Sequence, residues 1–313
     1  MARFVSPYFG IWRMITYLTY EEIDKKRWDD CIEHAVNGLV YAWSWYLDVV
    51  HPGWEALVEM DGDNYLSVMP ITRKRKFFIP YLCQPFFVQQ LGVFSRQQVT
   101  AETTSSFLHA IPKKYLLIEI RLNEHNPVPE GLLGVDSHRN HLLDLNHDYN
   151  YLFSHYHENT RRNLKKSLNH SLRLISLKEL HPIVSLFRED RGAKLSHWGD
   201  AEYDRLEQLS AVALSSGNAF IYAVQSIDND KIICGALFLV YKQRITFLFS
   251  GNSEAGKACQ AMTFLLDSVI KSFSQQPMFL DFEGSDDDQL ARFYHGFGAE
   301  VVSYPGYTYH LYL

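Results

Sequence analysis

Acid–base chemistry is the activity that residues near the end of the chain could support. Asp281 and Glu283 alternate in a short predicted strand, 279–284, so we expect both carboxylates on one face of it. Two such carboxylates can orient an amine or remove its proton, although one could instead cap a helix while the other is solvated. Tyr294 lies four residues before Gly298 near the end of a predicted helix, where its hydroxyl could donate a proton. The alternative for Tyr294 is a core aromatic, because the chain contains 19 tyrosines.

A loop of small residues between a predicted strand and a predicted helix could bind an anionic group. Backbone N–H groups at the start of a helix attract phosphates and polarised carbonyls, and small residues let a ligand approach them. The positive charge of Lys257 would assist this binding, whereas the simplest alternative is a plain strand-to-helix connection. The candidate binding residues are Ser250, Gly251, Asn252, Gly256, Lys257 and Ala258.

A helix predicted after Asp148 carries a buried stripe and a basic stripe. The buried stripe recurs at every fourth residue, which is typical of a helix face packed on a core. Its members are Leu152, Tyr156, Thr160, Leu164, Leu168 and Leu172. The basic stripe consists of two i,i+4 pairs, formed by Arg161, Arg162, Lys165 and Lys166. These cations could bind the phosphates of a cofactor, a nucleotide-linked substrate or tRNA, but a solvated face is the more frequent use of such a cluster.

Composition limits the classes of protein that fit. The 313 residues suffice for two domains, and a hydrophobic content of 47% can fill two cores. A formal net charge of -6 argues against a general nucleic-acid binder. The four cysteines are far apart, which predicts neither a zinc site nor a disulfide framework, and we expect no metal. Since no segment suits a signal peptide or a membrane helix, we expect a soluble, cytoplasmic protein.

The two halves of the chain repeat a similar order of elements. Each half is predicted to contain a β-hairpin, around Asp61–Asn64 or Asp228–Asp230, and later a helix followed by an acidic strand. The prolines and glycines in residues 123–134 are typical of a connection between domains. The predicted fold is α/β (α+β), with domains at residues 1–134 and 135–313. Each domain is expected to be a mixed, mostly antiparallel sheet flanked by helices.

Two segments of the second half resemble motifs of the GNAT N-acyltransferase superfamily. Ala291–Gly298 is similar to the family's Ala-x-x-hydrophobic-Tyr-x-x-x-Gly helix, although Ala299 replaces the phenylalanine that usually follows the glycine. Ser253–Ala258 is similar to the pyrophosphate loop Arg/Gln-x-x-Gly-x-Gly/Ala, without the leading Arg or Gln. The resemblance implies that Tyr294 is a general acid toward the coenzyme A thiolate.

The second half as a whole resembles a divergent GNAT branch that includes the Fem-type peptidyltransferases. Asn159–Ser167 is similar to the basic helix of that branch, and Asp281–Gly284 is similar to its Asp-Phe-Gly-Gly-type strand. Members of the branch have tandem GNAT-like domains, and the Fem enzymes use aminoacyl-tRNA. The resemblance therefore implies two tandem GNAT-like domains, with the recognisable motifs in the C-terminal one.

The activity that the resemblance implies is N-acyl transfer from acetyl-coenzyme A, or another acyl-coenzyme A, to the amine of a small-molecule acceptor. In this hypothesis backbone donors near Ser250–Asn252 polarise the carbonyl, and Asp281 or Glu283 orients or deprotonates the amine. One alternative is a Fem-type peptidyltransferase that uses aminoacyl-tRNA on a cell-wall precursor and holds phosphates on the basic helix. The other is a non-catalytic GNAT-like protein that binds a metabolite or a protein partner.

Overall fold

Two β-sheets form the frame of the computed structural model, which describes residues 14–195, 198–284 and 286–310. The strands are β1 (Ile15–Leu18), β2 (Glu55–Asp61), β3 (Asn64–Ile71), β4 (Arg73–Lys76), β5 (Ile79–Cys83), β6 (Phe94–Ser95), β7 (Leu117–Arg121), β8 (Val135–Asp144), β9 (Leu172–Leu177), β10 (Ala219–Ser226), β11 (Ile232–Tyr241), β12 (Arg244–Asn252), β13 (Phe279–Asp281) and β14 (Glu300–His310). The smaller sheet has the order β1-β2-β3-β6, and the larger has the order β4-β5-β7-β14-β8-β13-β12-β11-β10-β9. Only β5–β7 and β12–β13 pair in parallel among these strands, which confirms the predicted mixed, mostly antiparallel arrangement.

Helices cover both faces of the sheets, as predicted for this fold class. The α-helices are α1 (Lys25–His34), α2 (Ser44–Val50), α3 (Ala101–Ala110), α4 (Tyr149–Ser154), α5 (Glu158–Ser167), α6 (His181–Glu189), α7 (Asp200–Ser215), α8 (Glu254–Ala258), α9 (Ala261–Phe273) and α10 (Asp288–His295). Strand β11 shows how the two faces are separated. Leu237 and Leu239 pack with α6 and α7, whereas Ala236 and Phe238 pack with α9, because successive side chains of a strand point to opposite faces.

The halves of the chain share one hydrophobic core. Trp28 and Trp54 from the first half belong to the same buried cluster as Leu206 and Leu237 from the second half. The rings of the two tryptophans lie 4.6 Å apart. Burying large aromatic side chains from both halves together holds the halves against each other, since each buried ring removes a large apolar area from water.

The last strand connects the two halves within the larger sheet. β14 pairs with β8 over Glu300–Tyr307 and with β7 over Gly306–His310. The domain boundary that we predict between residues 134 and 135 falls at the start of β8, and it stays a prediction because one sheet runs through both sides of it. No helix in the described ranges is long and apolar enough to cross a bilayer.

The sequence prediction succeeded where turn chemistry is local. Both predicted hairpins are present as β2–β3 and β10–β11. The long helix predicted after Asp148 was wrong, because the chain breaks into α4 and α5 at residues 155–157. Leu168 is therefore 67% exposed rather than buried, and Leu172 begins β9.

Candidate active site

A cavity of about 710 Å³ lies where the end of β12, the start of α9 and the helix α10 meet. Residues that follow α6 form its remaining wall. The wall is largely aromatic and aliphatic, with a few titratable groups, as is typical of small-molecule sites. Those groups are Asp190, Arg191, Lys257, Glu283 and Tyr294.

Glu283 is one of two carboxylates that line this cavity, and the other, Asp190, forms an ion pair with Lys257. It follows β13 with a φ of 52°, a left-handed conformation that turns the chain directly after the strand. The hydroxyl of Tyr41, from the first half, donates a hydrogen bond to Oε1 of Glu283 over 2.7 Å. Burial raises the pKa of Glu283 to about 8; the hydrogen bond from Tyr41 opposes this rise, and the neighbouring carboxylate of Asp281 adds to it. The side chain is therefore poised to exchange a proton near neutral pH.

Asp281 has a different environment, so the expectation that it shares a face with Glu283 was wrong. It is the last residue of β13 and is fully buried. Its Oδ1 accepts the backbone N–H of Glu283 over 2.8 Å, and this turn ends the alternation of the strand. Burial raises the pKa of Asp281, although the guanidinium of Arg244 acts in the opposite direction. Asp281 does not line the cavity, which makes it a positioning residue for Glu283.

Arg244 joins the two halves through a buried ion network. Its Nη1 donates to Oδ2 of Asp281 over 3.1 Å, and its Nη2 donates to Oε1 of Glu124, from the first half. The side chains of Arg244, Glu124 and Asp281 are 19%, 5% and 1% exposed. Two carboxylates at this depth need a cation, because an isolated buried charge is strongly destabilising.

Tyr294 lies on α10 and lines the same cavity as Glu283. Its ring stacks on Phe282, with 4.9 Å between the ring centroids. Burial raises the pKa of Tyr294, and the charge of Glu283 adds to this rise, so the hydroxyl stays protonated at neutral pH. No described residue forms a hydrogen bond with this hydroxyl. The glycine of the Tyr-x-x-x-Gly pattern is required by the backbone, since Gly298 has a φ of +82°.

The small-residue loop is built differently from the prediction. It folds into the short helix α8, whose cap Ser253 accepts the N–H of Gly256 over 3.1 Å. A Cβ at Gly251 would clash with the carbonyl oxygen of Ile183, and a Cβ at Gly256 would clash with that of Ile233. Close packing, rather than ligand approach, therefore explains these two glycines.

Only some of the loop residues reach the cavity. Ser250, Asn252 and Lys257 line it, whereas Gly251, Gly256 and Ala258 do not. The Nζ of Lys257 already forms ion pairs with Oδ2 of Asp190 at 2.6 Å and with Oε1 of Glu254 at 2.8 Å. The helix that opens on the cavity is α9. It begins after Gln260, whose backbone has a left-handed conformation, and the residues that line the cavity at this helix start are Gln260, Met262 and Thr263.

The basic stripe lies outside the cavity, on the exposed face of α5. Arg161, Arg162, Lys165 and Lys166 are all exposed, and none forms an ion pair with a carboxylate of the described residues. The helix packs against α9. The residues at the start of α9 line the cavity. The stripe is thus beside the cavity without lining it.

Two further cavities continue the first one toward the N-terminal half. The second cavity, of about 770 Å³, lies among β5, β7, β8 and β14. A third cavity, of about 410 Å³, lies between the second cavity and the first. Trp198 lines all three cavities, Glu283 lines the first and the small one, and Arg121 lines the small one and the second. These shared walls make a groove that passes Glu283.

Comparison with solved structures gives the fold of the chain. No protein-family model and no curated protein matches it. FemX superposes with a TM-score of 0.68 at 12% identity, covering 95% of this chain and 97% of that chain. The chain has a tandem GNAT fold of the Fem type. A tandem GNAT protein from the clavulanic acid biosynthesis pathway superposes with a TM-score of 0.52 at 10% identity, covering 94% of this chain and 98% of that chain.

A third structure shares this architecture: a conserved protein of unknown function from Bacteroides thetaiotaomicron VPI-5482. It superposes with a TM-score of 0.54 at 7% identity and covers 94% of this chain and 99% of that chain. The likeness at these identities concerns the fold. It confirms the predicted GNAT-like fold and leaves the chemistry to the residues of the site.

Sequence reasoning missed three residues of the site in this tandem GNAT fold. Tyr41 reaches Glu283 across 242 positions of the chain, and no local pattern marks it. Arg191 follows α6 and lines the cavity as an exposed cation. Trp198 lies two residues before α7 and lines the cavity, and no motif in the sequence marks it.

Replacing Arg244 tests the ion network. Arg244→Met leaves the carboxylates of Glu124 and Asp281 buried without a cation, so the free energy of unfolding should fall by about 3–5 kcal/mol. Urea denaturation followed by circular dichroism measures this change. The triple variant Arg244→Met, Glu124→Gln, Asp281→Asn removes the uncompensated charges and should recover most of the loss. A loss below about 1 kcal/mol in the single variant, typical of an exposed pair, would contradict the buried network.

Proposed function

We propose that the chain transfers an acyl group from a carrier to an amine bound in the cavity. The observation that carries this proposal is the pairing of Glu283 with Tyr294 on one cavity wall. A carboxyl group with a pKa near 8 can accept a proton from an amine, and a hydroxyl that stays protonated can supply one to a leaving group. The tandem GNAT fold is compatible with this chemistry, but fold alone does not establish it.

The proposed reaction has one nucleophilic step. The amine nitrogen attacks the carbonyl carbon of the donor, and Glu283 accepts the proton that the nitrogen releases. We place the carbonyl oxygen at the β-bulge of β12, where the register shift leaves Leu248, a residue that lines the cavity, without a paired residue on β11. The bond between the carbonyl carbon and the leaving group then breaks, and Tyr294 protonates the leaving atom. Solvent returns the proton from Glu283 to Tyr294.

Acyl-coenzyme A, with acetyl-coenzyme A as the simplest case, is the donor we propose first. Ser250 and Asn252 at the end of β12, and Met262 and Thr263 at the start of α9, line the place where its thioester and pantetheine arm would enter. A thiolate leaving group gains directly from the proton of Tyr294. Arg191, rather than the ion-paired Lys257, is the cation available for the pyrophosphate.

Aminoacyl-tRNA is the second candidate donor, with a cell-wall precursor as the acceptor. The observation that favours it is the exposed basic stripe on α5, whose four cations have no carboxylate partner in the described part of the chain. The helix α5 packs against α9, and the first residues of α9 line the cavity, so we propose that a polyanion bound on the stripe directs its acyl end to the cavity. Binding of this kind weakens steeply as salt increases.

The two donors are separated by neutralising the stripe. We expect acetyl-coenzyme A to be consumed with a panel of primary amines, and the variant Arg161→Gln, Arg162→Gln, Lys165→Gln, Lys166→Gln to keep kcat/KM within about twofold, because surface charges outside a site have small effects. Release of free thiol measures turnover. The matched control neutralises four exposed lysines elsewhere: Lys26→Gln, Lys113→Gln, Lys178→Gln and Lys231→Gln.

Other outcomes assign the site differently. If only aminoacyl-tRNA supports transfer, and the stripe variant loses both activity and its salt dependence while the control does not, the second candidate is correct. If neither donor binds in a thermal-shift assay or turns over, the proposal of an acyltransferase fails and a non-catalytic binding role remains.

Proton transfer by Glu283 predicts a pH dependence. Only the carboxylate is a base, so kcat/KM should rise with pH through about 8. Glu283→Gln should lower kcat/KM by about 10²–10⁴-fold. Tyr41→Phe removes a hydrogen bond that favours the carboxylate, so the rising limb of the pH–rate profile should move to higher pH. As a control, Tyr65→Phe removes another buried hydroxyl and should leave the pH–rate profile unchanged. If Tyr41→Phe also leaves the rising limb at the same pH, the hydrogen bond from Tyr41 does not tune the pKa of Glu283.

Proton donation by Tyr294 predicts a dependence on the leaving group. Tyr294→Phe should lower kcat by about 10²-fold or more with a thioester of an alkyl thiol, because the departing sulfur loses its acid. The loss should shrink with a thioester of an acidic aromatic thiol, which departs without protonation. Tyr149→Phe, which removes a hydroxyl bonded to Asp267, is the control. An equal loss with both donors would assign Tyr294 a packing role.

A further inference from the structure

The hairpin of β4 and β5 ends in two aromatic side chains that touch little of the protein. Phe77 and Phe78 form its two-residue loop, between the paired residues Lys76 and Ile79. They are 85% and 98% exposed, and Ile79 beside them is 44% exposed. β4 is the outermost strand of the larger sheet, so the tip projects from an edge rather than from a covered face. Adjacent bulky apolar residues at such exposure are uncommon on a monomeric surface and indicate a contact.

The backbone of this turn is also unfavourable for phenylalanine. Phe77 and Phe78 have φ values of 49° and 66°. Positive φ at both central residues belongs to the tight hairpin turn that strongly prefers Asn-Gly, and bulky side chains seldom adopt it. The tip therefore combines an unfavourable conformation with exposed apolar surface. Asn-Gly would relieve both, so folding alone does not account for the two aromatic rings.

The residues before the tip are a run of cations in a chain whose net charge is -6. The run is Arg73–Lys76. Arg73 is used inside the protein, where its Nε donates to Glu55 over 2.7 Å, and Lys74 lies over the ring of Phe86. Arg75 is exposed and has no carboxylate partner in the part of the chain that the structure describes. Positive charge is thus available directly beside the exposed rings.

We propose that this hairpin tip, residues 75–79, binds the surface of a bilayer that contains anionic lipids. The rings of Phe77 and Phe78 enter the boundary between head groups and acyl chains, and Arg75 lies against lipid phosphates. Aromatic side chains with neighbouring cations suit this interface, because apolar insertion and attraction to anionic lipid act together. A few side chains on a convex tip provide too little area for a stable protein–protein interface, whereas insertion into lipid requires no complementary groove.

The proposal is tested with vesicles and a variant that suits the turn better. Phe77→Asn with Phe78→Gly should preserve the hairpin, since Asn-Gly is favoured there, and its free energy of unfolding should equal or exceed that of the wild type. Binding to vesicles of phosphatidylcholine and phosphatidylglycerol, measured by cosedimentation, should fall by about tenfold or more in this variant. Arg75→Gln should weaken binding roughly fivefold, and added salt should weaken wild-type binding. Leu133→Asn, at another residue that is 89% exposed, should leave binding unchanged.

Three results would overturn the proposal. One is wild-type protein that does not sediment with the anionic vesicles. Another is equal binding by the wild type and the Asn-Gly variant. The third is a concentration-dependent dimer in analytical ultracentrifugation that the Asn-Gly variant abolishes, without vesicle binding, because the tip would then contact a second copy of the chain. None of these measurements depends on acyl transfer, so their outcome is separate from that of the proposed function.

Discussion

One buried cation, Arg244, holds the site together. It lies between a carboxylate of each half, Glu124 and Asp281. With its side-chain oxygen Oδ2 engaged by Arg244, Asp281 uses the other oxygen to fix the backbone N–H of Glu283. The left-handed turn at Glu283 follows from this arrangement and directs that side chain to the cavity. The charge of Arg244 therefore links the two halves of the chain and, through Asp281, positions the candidate base Glu283.

The same arrangement gives Glu283 its chemical character. The folded protein raises the pKa of this carboxyl to about 8, above its ordinary value, so the folded state favours the protonated form. The stabilising effect of that preference is fully present below the ordinary pKa and is lost as pH rises through about 8. A group that destabilises the fold when it ionises near neutral pH is typical of functional sites, where pKa values are shifted for proton transfer.

Local patterns in the sequence predicted much of the fold and part of the site. Asp-Gly and Asn-Asp turns identified both hairpins, because turn chemistry depends on adjacent residues. The Tyr294 pattern identified the helix end that lines the cavity. Strand alternation misassigned Asp281, because a single side-chain hydrogen bond to the backbone ends the alternation after one residue.

Other parts of the site depend on contacts that no local pattern contains. Gly251 and Gly256 suggested that a ligand approaches the backbone there. In the fold they instead pack closely against carbonyl oxygens of α6 and β11, which are near only once the chain has folded. The contact between Tyr41 and Glu283 joins residues from different halves and decides how the candidate base is held. The basic residues of α5 were found in sequence, but their place beside rather than inside the cavity required the break between α4 and α5.

The most direct measurement of this account is a titration of the Glu283 carboxyl carbon by NMR, in protein labelled with carbon-13 at glutamate and assigned by comparison with Glu283→Gln. The account predicts that this carbon titrates with an apparent pKa of about 8 in the folded protein. A carbon that titrates at the ordinary value for glutamate, about 4.3, would contradict the claim that burial beside Asp281 makes Glu283 a base near neutral pH.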